Sequence, residues 1–394
     1  MFDVFLNIVA TAIPIAVLQL CIYPLIATNV DDEIYGLFLT QISVLTIISG
    51  SLGNALNNIR LVKNEQYEQA GYNGDFQILL FLECIVTIIT LYVMLAKYNI
   101  SFPEKISLLI IGILWTIREY YIVVFRLKLN FKGIVINNIL MVVGYLLGLA
   151  LFLRSGHWEY IYIFGLMLSL IYIYHISGII KEPFKLTNYF KGTFVELILL
   201  VVAAFTNNML NYADRTFIYP LIGGAAVSIY YAATLFGKLV STAISPINSV
   251  VLSYLSKKHS MQKELFAATF GVSSGIAVIG YFLCNMVAKP MLSLLYPQLV
   301  EESMKYVPVT TLIAMITMVT STIAPFILKF CHMKWQVIIN VTVLFIYIVA
   351  AVMGCQKYGL MGFCYGVLIS CITKCIITFS LGMYMANSRG ENEV

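Results

Sequence analysis

The sequence predicts an all-α integral membrane protein, with about twelve transmembrane helices in two six-helix parallel-repeat halves around a central cavity. Three observations predict it. The composition is strongly apolar, short polar breaks cut the chain into membrane-length runs, and one five-residue segment recurs half a chain later. Of 394 residues, 60% are hydrophobic and 11% charged, and the mean hydropathy is +0.90. A soluble domain is about 45–50% apolar and about 25% charged, so a water-soluble enzyme and a disordered chain are both excluded. A span takes about 20 apolar residues, so twelve take about 240 and leave only short connections.

The apolar runs place helices at 4–28, 35–57, 77–96, 106–125, 134–153, 159–180, 194–213, 225–252, 266–288, 305–328, 336–354 and 359–384. The first run is too long for the apolar core of a cleavable leader and has no basic start, so it is expected to remain as a span. Alternate connections differ in charge. One set, with the C-terminal tail, carries fourteen Lys and Arg, among them Arg60, Lys63, Arg126, Lys181, Lys185 and Lys257. The other set carries seven, and its first member, around Asp31, Asp32 and Glu33, has none. By the positive-inside rule both termini are expected in the cytoplasm. The net charge of +5 is too dispersed for a nucleic-acid face, and no nucleic-acid partner is expected.

Ile22-Tyr23-Pro24-Leu25-Ile26 recurs as Ile218-Tyr219-Pro220-Leu221-Ile222, and Ile34-Tyr35 recurs as Ile229-Tyr230. Both copies end the first helix of a six-helix half. An offset of six helices preserves orientation, which describes a parallel repeat with the substrate path at the repeat interface. The halves are expected at 1–187 and 188–394, joined by the polar, proline-containing segment 181–188. Pro14, Pro246, Pro308 and Pro325 are expected inside spans, where proline frees a carbonyl and bends the helix.

A charge in the hydrocarbon costs about 2.5 kcal/mol or more, so an embedded one faces a cavity or a partner. The embedded or helix-end bases are Arg118, Arg215, Lys238 and Lys374; the acids are Glu83, Glu119, Glu196 and Asp214. Two roles fit the bases: a positive potential in a water-filled cavity, or ion pairs and snorkelling. Glu83, Glu119 and Asp214 are coupling candidates, with ion pairing as the alternative. Arg118-Glu119 and Asp214-Arg215 are sequence neighbours about 100° apart on a helix, so neither pair need bridge to itself. Asn54 and Asn58 stand four apart in the second helix, and Asn207 and Asn211 four apart in the seventh. Each set marks a polar face suited to a hydroxyl-rich ligand or to interhelical hydrogen bonding.

No catalytic constellation appears: there is no H-E-x-x-H, no Walker A, and no G-x-S-x-G on a strand–turn–helix. The eight Cys and four His show no metal-ligand spacing, so neither metal nor cofactor is expected.

Two segments carry a family resemblance. Asn211-Tyr212-Ala213-Asp214-Arg215-Thr216-Phe217-Ile218 followed by Ile229-Tyr230-Tyr231-Ala232-Ala233-Thr234, and Ile34-Tyr35-Gly36-Leu37-Phe38 after a short acidic loop, resemble the polysaccharide transporter family. That family includes the O-antigen flippases of bacterial inner membranes, within the multidrug/oligosaccharidyl-lipid/polysaccharide exporter superfamily. The resemblance implies a V-shaped, two-lobed, alternating-access transporter in the bacterial inner membrane. It implies a substrate of undecaprenyl-diphosphate-linked oligosaccharide, moved from the cytoplasmic to the periplasmic leaflet for O-antigen or lipopolysaccharide biosynthesis. Membrane lipids and the polysaccharide polymerase and chain-length machinery are the implied partners. In that family a cation-lined cavity receives the diphosphate and sugars, and Arg118, Arg215, Lys238 and Lys374 match it by depth and charge. The first helix lacks the embedded carboxylate common in proton-coupled multidrug members, which leaves the coupling ion, H+ or Na+, open. The alternatives are a multidrug exporter, which would favour embedded acids, and a polymerase or acyltransferase. The last would need a large outer loop or a partnered histidine, and His175 is the only embedded one.

Overall fold

The computed structural model describes residues 12–72, 74–98, 100–256, 262–331 and 333–390. Residues 4–11 of the expected first span, and Lys257 and Lys258, lie outside them, as does the side chain of Pro246. The described residues form helices and connections, with no strand.

In chain order the long helices are α1 (Ala12–Ala27), α2 (Asp32–Gln69), α3 (Asp75–Leu95), α4 (Phe102–Leu127), α5 (Phe131–Ser155) and α6 (Glu159–Ile176). They continue with α7 (Phe190–Ile222), α8 (Gly224–Ser256), α9 (Lys263–Leu295) and α10 (Val307–Phe330). The last stretch, Met333–Gly390, breaks at Tyr358 and at Gly359, whose φ of 58° suits a residue without Cβ, and so supplies α11 and α12. Twelve helices among the described residues match the sequence segmentation.

Helix α2 outruns its expected end at 57 by a dozen residues. Its polar extension holds together through Asn64–Glu68 and Glu65–Gln69 side-chain bonds one turn apart and through the buried Tyr67. Pro308 corrects an expectation: it occupies the first turn of α10, where a missing N–H costs nothing, rather than a helix interior. Among the described residues, Pro220, Pro290 and Pro325 lie inside long helices, as Pro24 does inside α1. Both copies of the recurring segment end a helix just before the next begins, at α1 and at α7.

Two compact units emerge. One comprises the described residues of Met1–Asp31 with Leu37–Thr216; the other comprises Asp32–Gly36 with Phe217–Val394. These contact units divide near the outer end of α7, whereas the repeat boundary read from the sequence lies before α7 at 187/188; the two divisions describe different things.

In the first unit α5 lies against α6 through glycine. A Cβ at Gly144 or Gly148, four apart, would collide with the backbone of Phe164 or Ile161. This is the small-residue packing by which membrane helices approach closely where lipid supplies no hydrophobic drive. The same device recurs in the second unit, where Gly354 of α11 and Gly362 of α12 abut.

One end of the first unit is closed by the segment that follows α6. Asp75, fully buried at the start of α3, accepts hydrogen bonds from the Thr187 N–H (2.8 Å), the Thr187 hydroxyl and the Tyr67 hydroxyl (2.8 Å). Gln77 donates to the Ile179 carbonyl at 2.7 Å, and Arg60 grips both carboxylate oxygens of Glu182 at 2.7 and 3.1 Å. Beneath them lies an apolar core of Leu56, Ile59, Phe76, Leu79, Tyr120 and Phe125.

Candidate functional site

The first unit encloses a cavity of about 580 Å³, lined by α1, α2, α4, α5, α6 and the end of α7. Helix α4 contributes one face. Trp115, Arg118, Glu119, Ile122 and Arg126 all line the cavity, at steps of three, one, three and four residues. Those steps follow the 3.6-residue period, so the five form a ladder along the wall. At 1.5 Å per residue, Trp115 and Arg126 stand about 16 Å apart along the axis.

Two π-helical turns also reach the cavity. Leu18–Ile22 in α1 presents Leu18 and Gln19, and Thr46–Gly50 in α2 presents Thr46. A π turn costs hydrogen-bond quality and concentrates at functional sites, where it re-aims side chains that a regular helix would carry elsewhere.

Each rung has its own electrostatics. Arg118, 8% exposed, donates from Nη1 to Glu119 at 2.7 Å, from Nη2 to Asn138 at 2.9 Å and from Nε to the Ser169 hydroxyl at 3.1 Å. Ser169 is in turn held by Asn137 on α5. The expectation that Arg118 and Glu119 need not pair is therefore corrected: the flexible side chains close the 100° between them, and the pair forms with a neutral sum. Arg126 differs. Its Nη1 donates to Asn57 at 2.6 Å and Asn58 at 3.1 Å, and no carboxylate meets it among the described residues. Amide oxygens position a guanidinium without cancelling its charge. Arg215, 4% exposed, reaches the cavity from the far end of α7 and donates to the Ser43 hydroxyl at 3.2 Å.

The other residues singled out in the sequence divide as follows. Asn54 lines the cavity and accepts from Asn58 at 3.0 Å. Asn207 and Asn211 are exposed on α7, joined by a bond from the Asn211 amide to the Asn207 carbonyl; their neighbour Asn208 makes the interhelical contact, to the Ser51 hydroxyl at 2.9 Å. Asp214 accepts from the Arg215 backbone N–H. Glu83, 5% exposed on α3, lies outside the cavity lining, and neither carboxylate oxygen meets a hydrogen-bond donor among the described residues. Lys238 on α8 and Lys374 on α12 belong to the second unit and lie outside this cavity.

Sequence reasoning did not single out Arg126, which it counted only for topology, nor Gln19, Trp115 and Tyr162, all of which line the cavity. The ladder spacing from Trp115 to Arg126 was the available signal.

The second unit has a cleft of about 450 Å³ between α9, α10 and α12. It is lined by Phe270, Val278, Phe282, Met315, Val319 and others, with Ser274, Tyr281 and Cys375 the most polar members. It carries no charge.

This all-helical plan of membrane-length apolar helices is that of a polytopic membrane protein. No family model matches the chain, and no curated protein is similar to it in sequence. Solved structures are similar in fold. An inward-facing multidrug resistance MATE family transporter of the MOP superfamily matches with a TM-score of 0.74 at 12% identity, over 98% of this chain and all of that one. The lipid II flippase MurJ, in an inward closed conformation, matches at 0.66 and 16% identity, over 96% of this chain and 86% of that one. The Vibrio cholerae MATE transporter VcmN in its bent form matches at 0.58 and 13%, over 97% and 95%. The chain thus has the fold shared by MATE and MurJ transporters of the MOP superfamily.

Proposed function

We propose that this protein is a flippase for a lipid-linked oligosaccharide, with the first unit's cavity as the chamber for its diphosphate-bearing headgroup. The observation that carries the reading is the charge of the lining: three guanidiniums, Arg118, Arg126 and Arg215, against one carboxylate, Glu119. Inside a low-dielectric wall such an excess favours an anion far more than it would in water. A chamber for lipophilic cations needs the opposite sign. Amides from Asn54, Asn57 and Asn138 add hydrogen-bonding groups for a hydroxylated headgroup. The fold likeness to MurJ and the polysaccharide-transporter resemblance of the sequence support the same class of substrate.

The substrate proposed is an undecaprenyl-diphosphate-linked surface-polysaccharide repeat unit. It would pass from the cytoplasmic to the periplasmic leaflet of a bacterial inner membrane by alternating access, with both chain termini cytoplasmic. Each half of the repeat, 1–187 and 188–394, would act as one moving body, and Lys238 and Lys374 are the second half's candidates for contact with the headgroup. Polymerase and chain-length proteins would receive the product.

Arg126→Gln tests the reading, because it removes a cavity charge that no carboxylate meets among the described residues and leaves a neutral hydrogen-bonding amide in its place. Transport per molecule of folded protein should fall about tenfold or more, the equivalent of one lost charged contact of about 1.4 kcal/mol. Membrane abundance should stay at the wild-type level. Undiminished accumulation of surface glycan in this variant would remove the cavity from the transport path.

A further inference from the structure

Trp115 lies on the α4 ladder about 16 Å from Arg126, farther than a diphosphate extends. Its indole ring stacks on the Tyr162 ring at 5.7 Å between centroids and 16° between planes. Tyr162 is fixed from three more sides: the Tyr23 hydroxyl bonds to its own, Tyr145 packs at 5.7 Å, and Trp158 meets it edge-on at 6.0 Å. Trp115 is half-buried, with Tyr162 covering one ring face and the cavity beside it. The indole N–H donates to no protein group among the described residues. The Gln19 side-chain amide, raised into the same cavity by the π turn of α1, is likewise without a hydrogen-bond partner among them. The cavity wall thus holds a rigid aromatic plate together with two polar groups whose hydrogen-bonding capacity is open, and that combination has a recognisable use.

We infer that Trp115 and Gln19 form a carbohydrate subsite, in which a sugar ring lies flat on the indole while its hydroxyls bond to the indole N–H and the Gln19 amide. The negative face of an aromatic ring attracts the weakly positive C–H groups that crowd one face of a pyranose. The hydroxyls at the sugar's rim then need partners where the cavity wall takes them out of water, because an unpaired buried hydroxyl is expensive. A plate already held by Tyr162 loses little freedom on binding. The inference rests on the cavity being the headgroup chamber, and it gives that chamber a direction. The diphosphate lies toward Arg126, and the first sugars lie toward Trp115, with the neutral Arg118–Glu119 pair between.

The test uses the full chain in lipid nanodiscs and two probes: a polyprenyl diphosphate, and the same lipid bearing a hexose–N-acetylhexosamine disaccharide. Binding is read by microscale thermophoresis for wild type, Trp115→Ala and Trp115→Tyr. Wild type should bind the sugar-bearing probe about tenfold more tightly than the bare one, the worth of about 1.4 kcal/mol of stacking and hydrogen bonding. Trp115→Ala should erase most of that ratio with bare-lipid binding held, and Trp115→Tyr, which keeps a plate, should restore much of it. Equal weakening of both probes in Trp115→Ala, or equal binding of both by wild type, would overturn the sugar subsite and leave the chamber standing. Failure of wild type to bind either lipid would overturn the chamber itself, and the subsite with it.

Discussion

Arg60 and Arg126 lie in the same compact unit, and the fold treats them oppositely. Arg60 is 6% exposed, its guanidinium sits 4.4 Å over the Phe76 ring, and both of its terminal nitrogens meet the Glu182 carboxylate. Arg126 is exposed and, among the described residues, meets amide oxygens and no carboxylate. A carboxylate partner neutralises a base and makes it structural. Amide partners orient it and leave a full charge for a ligand. The difference separates the closed end of the unit, which ties down the segment after α6, from the chamber above it.

The two cavities repeat the lesson on a larger scale. The first unit's lining carries four charged side chains, and the second unit's cleft carries none. The contrast is between the two compact units and not between the repeat halves, because the first unit's lining takes Tyr212 and Arg215 from the second half.

The sharpest way to break the comparison is to take away a neutralising partner. Glu182→Ala strands the Arg60 charge in a buried site, which costs about 3–5 kcal/mol. Folded protein in the membrane should drop severely, and thermal unfolding in detergent should shift to match. Replacing Arg60 with Met in the same chain should recover much of the loss, since an apolar pair of similar volume dispenses with the ion pair. Normal abundance in Glu182→Ala would mean that this end is not held by its charges.

Arg118 is the intermediate case, half in each category. It lines the chamber, yet its guanidinium is spoken for by Glu119, Asn138 and Ser169. Arg118→Gln should destabilise by about 2–3 kcal/mol through the lost charged hydrogen bonds and the stranded Glu119. Adding Glu119→Gln should restore abundance. If transport returns with it, Arg118 is a scaffold for the wall; if abundance returns and transport does not, its charge has the role proposed for Arg126. Transport per folded molecule, measured beside abundance for the single and double variants, separates the two.

Much of this was legible in the sequence because membrane helices declare themselves by length and hydropathy. Segmentation, the recurring Ile-Tyr-Pro-Leu-Ile at two helix ends, and the depth of Arg118 and Arg215 all follow from spacing along one chain. Which face an embedded residue presents does not follow, because it depends on crossings between helices. Asn208 rather than Asn207 or Asn211 meets α2, although all three lie within one turn and a half. Depth does not tell which unit a base belongs to: Lys238 and Lys374 lie in the second and Arg118 in the first. Arg126 was read as a loop charge because the apolar run ends near it, whereas α4 continues to Leu127 and turns it onto the cavity wall. Trp115 carries no charge to mark it out in a chain with so many aromatics, and only its stack on Tyr162 distinguishes it.

Glu83 sharpens the comparison from the other side, as an acid with no base. Its carboxylate oxygens are buried on α3 and meet no donor among the described residues, so its removal breaks no ion pair and no hydrogen bond. Glu83→Gln preserves size and shape and takes away the capacity to ionise. Stability should therefore change by less than about 0.5 kcal/mol, far below the cost at Glu182. Leu or Met would fill the space without burying polar atoms, so the acid is a candidate for a use beyond packing, and we propose that this use is proton exchange during the transport cycle. In reconstituted vesicles, Glu83→Gln should flatten the pH dependence of transport while leaving headgroup binding intact, because Glu83 lies outside the cavity lining. The measurement is the transport rate against pH for wild type and variant at matched protein content. A profile identical to wild type would assign Glu83 to structure and move the search for the coupling group to Asp214, the remaining acid beside the chamber that is not committed to Arg118.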